Sequence, residues 1–364
     1  MVVDDSAVIR GLISRWLESD PDIEVVATAH NGAMALRTLE EARPEVVILD
    51  IEMPEMDGLT ALPKIIEAAP HVQVIMASTL TRRNAEISLK ALKAGAADYI
   101  PKPETSREVS SSAAFRQQIL QKIKALGTVA RCQDPVRAAR ARRAARGAAT
   151  PQPIPPRAVA ARPIQLAKPS SATPRVLAIG ASTGGPQALF EFFSSLKMTP
   201  GVPVVIAQHM PPTFTSILAE HLRRATGLAC EEGREGERLT PGKVYIAPGD
   251  HHMIVETKGD GVFIRINQDP PENFCRPAVD PLFRTVARVY GAAALGVILT
   301  GMGSDGLKGS SAIVAAGGTI LAQDEATSVV WGMPGAVSTA GLASAVLPLG
   351  EIGRAAAKFI GGRR

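Results

Sequence analysis

Three polar residues, each placed just beyond an apolar run, are the ones in this chain best suited to chemistry. Ser182 follows Val176-Leu-Ala-Ile-Gly180-Ala, His209 follows Val204-Val-Ile-Ala-Gln208, and Asp305 lies in Gly301-Met-Gly-Ser-Asp305-Gly306, beyond Ala294-Leu-Gly-Val-Ile-Leu-Thr300. A serine hydroxyl becomes a useful nucleophile when a base removes its proton, and an imidazole does so best when a carboxylate fixes its tautomer and steadies its cation. The pattern therefore predicts Ser182 as nucleophile, His209 as proton carrier and Asp305 as the group that orients His209. The chain order Ser, His, Asp differs from the Ser, acid, His order of the α/β-hydrolases. Gly180-x-Ser182-x-Gly184 reads as a nucleophile elbow, in which small neighbours let the backbone turn sharply and lift the hydroxyl clear of a sheet.

Competing readings exist for each member. A glycine-rich phosphate loop also joins a strand to a helix N-terminus. However, this one has no Gly-Lys-Ser/Thr ending, and the next strand ends in Gln208-His209, where a dinucleotide fold wants an acid. His251 and His252, at an expected turn after Asp250, are the rival bases, although a solvated or capping role is usual there. His30, His71 and His221 read as surface residues. Asp305 taken alone could simply cap the helix after it.

Positioning these groups requires a parallel sheet. Each follows a separate buried-type strand, so all three project from the carboxyl edge, where open α/β sheets bind ligands. Pro186 suits the first turn of a helix carrying Ala188, Leu189, Phe192, Phe193 and Leu196 at helical spacing. Further expected elements are strands Val202–Ala207 and Lys243–Ala247, a hairpin of His252–Glu256 and Val262–Ile266 about Gly259-Asp-Gly261, a helix Asp280–Tyr290 and a strand Gly318–Gln323.

The first third shows a second βα repeat, with predicted strands at Met1–Val3, Ile23–Ala27, Val46–Leu49, Val72–Ala77 and Ala96–Ile100, and a last amphipathic helix from Ser110 to Ala130. Its carboxyl edge collects Asp4, Asp5, Asp50, Ser78 and Lys102. Clustered carboxylates suit Mg2+, which takes oxygen ligands, and a lysine and a hydroxyl can hold phosphoryl oxygens.

Over residues 1 to 129 the chain resembles the response-regulator receiver family, with Asp4-Asp5, Asp50, Ser78, Tyr99 and Lys102 on family positions. The resemblance implies a flavodoxin-like (βα)5 fold in which Asp50 accepts a phosphoryl group, Asp4, Asp5 and Asp50 hold Mg2+, Lys102 contacts the phosphoryl group, and Ser78 and Tyr99 are switch residues. Receivers usually have several residues before the acidic pair, so the first strand is expected to be short or truncated. From residue 174 to 364 the motifs Gly-Ala-Ser182-Thr-Gly-Gly, Gln-His209-Met-Pro-Pro, Ala-Pro-Gly-Asp-His-His and Leu-Thr-Gly-Met302-Gly-Ser-Asp305-Gly resemble the CheB methylesterases. This implies a doubly wound, mostly parallel α/β domain that hydrolyses γ-glutamyl methyl esters on chemoreceptors, releases methanol, and deamidates selected glutamines. By the same analogy the Met302 N–H and Thr183 stabilise the oxyanion, no cofactor serves the esterase step, and a chemotaxis histidine kinase is the phosphodonor.

Charge and composition bound the alternatives. The net charge of +5 is concentrated between Arg131 and Arg175, where ten Lys/Arg face the single acid Asp134, leaving about −4 for the rest. That segment, 130–173, is rich in Pro, Ala and Arg and reads as a tether. A regulator with a nucleic-acid-binding or nucleotide-binding output is the alternative, but no helix-turn-helix pattern accompanies the basic residues, so no nucleic-acid partner is expected. Cys132, Cys230 and Cys275 are scattered without metal-ligand spacing and read as reduced thiols. Neither a signal peptide nor a membrane span is expected, so the chain reads as cytoplasmic and peripheral to receptor arrays.

Overall fold

The computed structural model describes residues 1–79, 81–102, 113–134 and 164–362. Most of the Pro/Ala/Arg segment, from 135 to 163, therefore lies outside the described residues. The described residues group into two compact units, drawn from 1–77, 94–100 and 115–164, and from 78–93, 101–114 and 165–364.

The N-terminal sheet is five-stranded and has the order β2-β1-β3-β4-β5, with β1 Val2–Val3, β2 Thr28–Ala29, β3 Val46–Asp50, β4 Gln73–Ser78 and β5 Asp98–Pro101. Its register is parallel where β1 meets β2 and β3 and where β3 meets β4. Strands buried on both faces must be apolar throughout, and Val46 to Leu49 are all buried. The first strand is as short as the sequence predicts. Its length also sets β2: Val2 and Val3 pair with Thr28 and Ala29, so of residues 23–27, expected as strand, only Ala27 reaches it, its carbonyl accepting from Val2 N–H at 3.1 Å. Helices α1 Ala7–Glu18, α2 Gly32–Ala42, α3 Gly58–Ala68, α4 Arg82–Lys93 and α5 Ala113–Gln133 alternate with or follow these strands. Ser6, Asn31 and Asp57 cap the first three, each side chain accepting a backbone N–H of the first turn.

The C-terminal sheet has seven strands, all parallel, in the order β14-β13-β12-β6-β7-β9-β8. These are β6 Val176–Ala181, β7 Val204–Gln208, β8 Ala229–Glu232, β9 Lys243–Ile246, β12 Ala294–Ile298, β13 Thr319–Gln323 and β14 Ala345–Leu347. The antiparallel pair β10 His252–Lys258 and β11 Gly261–Asn267 forms a separate hairpin. The chain winds outward from β6 through β7 to β8 and β9, then crosses to β12 on the other side of β6. The neighbours β6 and β12 therefore flank the point where the winding reverses, the usual crevice for ligands in open α/β sheets. Sequence patterning did not reveal β8, Ala-Cys-Glu-Glu, because an edge strand with one wet side lacks the continuous apolar run of its neighbours. Residues before β6 are already tied to this unit: Ala167 N–H donates to Ala343 O and Ser170 N–H to Thr319 Oγ1.

Candidate active site

Ser182 leaves β6 and enters helix α6, Gly185–Leu196, through a turn in which Gly184 takes φ +75°. A side chain at Gly184 would be strained by that backbone and would meet Val329 Cγ2 at 2.5 Å. Pro186 stands in the first turn, where its missing N–H costs nothing. The β6–β7 register pairs Ala181 with Gln208, so residues 182 and 209 leave adjacent strand ends side by side. The Gln208 amide donates to Ser182 O at 2.9 Å and locks the two ends together.

Asp305 closes the set from the far side of β6. Its Oδ2 lies 2.7 Å from His209 Nε2, while Val279 N–H also donates to it at 2.6 Å. Oδ1 accepts from Asn273 Nδ2 at 2.9 Å, Asp280 N–H at 3.1 Å and Gly306 N–H at 2.9 Å. The carboxylate thus caps helix α8, Val279–Tyr290, whose own cap residue Ala278 supplies no side chain. A capping role for Asp305 is real, but for a helix distant in sequence, and it coexists with the contact to His209. Burial opposes the charge of Asp305, yet the His209 imidazole and these backbone donors outweigh it and hold its pKa below the ordinary carboxylate value. Neighbouring Asp280 is displaced the other way, raised first by burial and then by the charge of Asp305.

The acid meets Nε2, so the nitrogen that faces other groups is Nδ1, the reverse of the arrangement in chymotrypsin-like triads. Cys275 Sγ stands 3.3 Å from that Nδ1. Burial disfavours the imidazolium, but the sulfur of Cys275 and the carboxylate of Asp305 more than offset it and hold His209 up at about 10. A base works only when deprotonated, so activity should be gained as pH rises through this pKa. Removing the sulfur should lower it. In Cys275→Ala the acid limb of the kcat/KM profile is expected to move to lower pH, as read by a pH–rate series on a small soluble ester. A limb that stays in place would show that the sulfur does not govern the group whose titration sets the limb.

The oxyanion candidates sit where a close approach has been built. A Cβ at Gly301 would lie 2.8 Å from Ser182 Cβ and 2.4 Å from Met333 Sδ, so glycine is needed to bring this loop against Ser182. Met302 follows directly, and among the described residues no backbone carbonyl takes its N–H. Thr183 is buried, and its carbonyl lies 3.0 Å from Thr300 Oγ1. Thr300 N–H in turn donates to Gln323 Oε1 at 2.7 Å. Thr300, Gln323, Gln208, Asn273 and Cys275 support the site without having been assigned a role from sequence. Thr300 and Gln208 at least stand inside the motifs that flag the triad, whereas Asn273 and Cys275 arrive by tertiary packing.

The rival histidines fall elsewhere. His252 is fully buried in β10 rather than solvated at a turn: its Nδ1 accepts from Ala278 N–H at 3.2 Å, which makes Nε2 the protonated nitrogen facing Pro270 O at 3.2 Å. One nitrogen thus ties the hairpin to the start of α8 and the other to the loop that leads there. His251 bonds Gly249 O. His30 and His71 are exposed, as expected, whereas His221 is half-buried on helix α7, Phe214–Thr226, and burial lowers its pKa.

At the N-terminal sheet edge, ligand oxygens of Asp4, Asp5 and Asp50 lie within 4.8 Å of one another. Asp4 and Asp50 are buried and Asp5 is exposed, and Ile51 N–H fixes Asp50 Oδ1 at 2.7 Å. An all-oxygen set with one exposed member fits a hard divalent cation that keeps several waters. Ser78 is buried with its hydroxyl 3.0 Å from Ser88 Oγ, and Lys102 N–H donates to Ser78 O, so the ends of β4 and β5 bring residues 78 and 102 together. Tyr99 is fully buried, which pushes its phenol well above the ordinary value, with Asp98 adding to the shift.

Comparison with known proteins agrees with both halves. A family model described as CheB methylesterase matches residues 177–356, and one described as response regulator receiver domain matches residues 1–114. The chain is 54% identical over 359 residues to a protein-glutamate methylesterase/protein-glutamine glutaminase of Paramagnetospirillum magneticum, covering 97% of this chain and 93% of that one. Its identity to the Azospirillum brasilense protein of that name is 53%, over 99% and 92% of the two chains. The crystal structure of the Thermotoga maritima CheB methylesterase catalytic domain covers 51% of this chain and 99% of its own, at 40% identity and a TM-score of 0.50. These matches favour the esterase reading over a nucleic-acid-binding or nucleotide-binding output. Among the described residues no helix is long and apolar enough to cross a membrane.

Proposed function

We propose, for a chain that belongs to the CheB methylesterase family, a phosphorylation-controlled serine hydrolase that removes methyl esters from protein glutamyl side chains and deamidates protein glutamines. The observation that carries this reading is the His209–Asp305 pair at 2.7 Å, set beside a serine elbow at the sheet's switch point. Ser182 Oγ attacks the γ-carbonyl carbon as His209 takes its proton, and Asp305 holds the ring and steadies its charge. The Met302 N–H, with Thr183, offers hydrogen bonds to the tetrahedral oxyanion. Collapse returns the proton from His209 to the leaving group, expelling methanol from an ester or ammonia from an amide. Water then repeats the sequence on the acyl-enzyme, leaving glutamate and free Ser182. Ester and amide share the tetrahedral step, so one site serves both.

The substrates are methyl-accepting chemoreceptors, and a chemotaxis histidine kinase supplies the phosphoryl group to Asp50. Asp4, Asp5 and Asp50 would hold Mg2+, which when bound offsets carboxylate charge and orients phosphoryl oxygens. Lys102 contacts the phosphoryl group, and Ser78 and Tyr99 relay its arrival. Methanol release from methylated receptor membranes, with and without a small phosphodonor, tests the assignment. Asp50→Asn is expected to keep basal hydrolysis and lose the phosphodonor response. A variant that still responds would remove Asp50 from the phosphoacceptor role.

A further inference from the structure

Glu272 and Cys275 face each other across an isolated antiparallel bridge, Cys275 N–H donating to Glu272 O at 2.9 Å and Glu272 N–H to Cys275 O at 3.2 Å. Between them Asn273 and Phe274 both take left-handed backbone, at φ +52° and +63°. This is a two-residue turn with positive φ at both centres, a place where Asn-Gly is favoured because a Cβ at the second position crowds the backbone. The chain puts phenylalanine there. Burial does not explain the choice, because Phe274 is 79% exposed, more than any other large hydrophobic among the described residues. Its backbone conformation costs stability, and a ring so exposed recovers little of it.

The two neighbours of Phe274 account for its location. Asn273 Nδ2 donates to Asp305 Oδ1, and Cys275 Sγ lies 3.3 Å from His209 Nδ1. Phe274 is therefore one Cα step, about 3.8 Å, from each of two residues that touch the triad. The turn is also pinned from outside: Arg284 pairs with Glu272 at 2.8 Å, and Arg276 with Asp250 at 2.6 Å. An aromatic ring on such a platform loses only two side-chain torsions on binding, so little ordering entropy opposes its use as a contact.

We infer that Phe274 is a specificity-determining contact for the protein substrate, its ring packing on an apolar side chain of the polypeptide that carries the reactive γ-glutamyl group. This rests on the proposed function and names how that site selects a protein over a small ester. An ester side chain on a folded protein cannot reach Ser182 unless its flanking surface comes against the surroundings of the site, and Phe274 is an exposed apolar group on the turn that touches His209 and Asp305.

The test uses the full chain with two substrates, a small soluble ester and methylated receptor membranes. In Phe274→Gly the KM for receptor methyl ester should rise roughly 10- to 100-fold, the loss of one buried aromatic contact, while kcat on the small ester stays within about twofold of wild type. Thermal stability should hold or increase, because glycine relieves the left-handed strain. Phe274→Leu should restore much of the KM. An unchanged receptor KM in Phe274→Gly overturns the inference. Equal loss on both substrates also overturns it, and makes the turn a positioning element for His209 and Asp305. If the wild-type chain cleaves the small ester but releases no methanol from receptors, the functional reading itself fails and the inference with it, a result distinct from either variant outcome.

Discussion

Ser182→Ala should fold normally and hydrolyse protein methyl esters about 10⁴- to 10⁶-fold more slowly than the wild-type chain. The size of the effect follows from what the hydroxyl does: without Oγ no acyl-enzyme forms, and His209 and Asp305 have no proton to move. The intact fold follows from which atoms hold the elbow. Ser182 N–H donates to Thr300 O at 3.0 Å, and Ser182 O accepts from Gly185 N–H at 2.8 Å and from the Gln208 amide. Among the described residues the elbow's bonds use the serine backbone and not Oγ, and alanine keeps that backbone. Stability should therefore change by no more than about 0.5 kcal/mol. Methanol release and a urea unfolding curve on the same preparation check both halves, and near-normal turnover by a folded variant would sink the nucleophile assignment.

Asp305→Asn should cost both activity and stability, a combination that Ser182→Ala does not share. The carboxylate offers two acceptor oxygens to five donors, His209, Val279, Asn273, Asp280 and Gly306. An amide keeps one acceptor and turns an NH₂ toward some of those donors, whichever way it is flipped. If the NH₂ faces His209, the imidazole loses the partner that fixes its tautomer and steadies its cation, a change that lowers turnover by about 10⁴-fold in a comparable triad. Meanwhile buried N–H groups at the start of α8 lose their acceptor, at a cost of about 1–3 kcal/mol. The wild-type charge also has a pH signature. Asp305 has a folded pKa below its unfolded value, so its stabilising contribution is complete above the unfolded pKa of about 4 and is lost as pH falls through the folded value. Asp305→Asn should flatten that acid loss in urea titrations carried below about pH 4. Retained turnover would remove the orienting role, and unchanged stability would remove the cap.

Much of this was legible before any coordinates. Ser182, His209 and Asp305 each stand just past a continuous apolar run, and buried parallel strands must be apolar because water reaches neither face. Their carboxyl ends must then share an edge, so a common site followed from pattern alone. The same logic placed Asp4, Asp5 and Asp50 at one edge, and their ligand oxygens do lie within 4.8 Å of one another. It did not find β8, whose residues must suit one packed and one wet side. It also misplaced β2, because ladder pairing depends on where the partner strand lies and Val2–Val3 offers only two residues.

What the amino-acid sequence determined by itself, then, was local: which residues make strands, where glycine lets a turn tighten, and which side chains carry chemistry. Tertiary structure alone decided which ring nitrogen of His209 faces Asp305, that this carboxylate caps α8 rather than the helix following it, and that Cys275, sixty-six residues away in the chain, reaches the other nitrogen. It also buried His252 and turned both of its nitrogens to backbone groups in the interior. These are directional contacts between segments far apart in sequence. Periodicity reports only whether a residue is inside, whereas the choice among polar partners inside depends on distances and angles that the packed sheet, hairpin and α8 impose together.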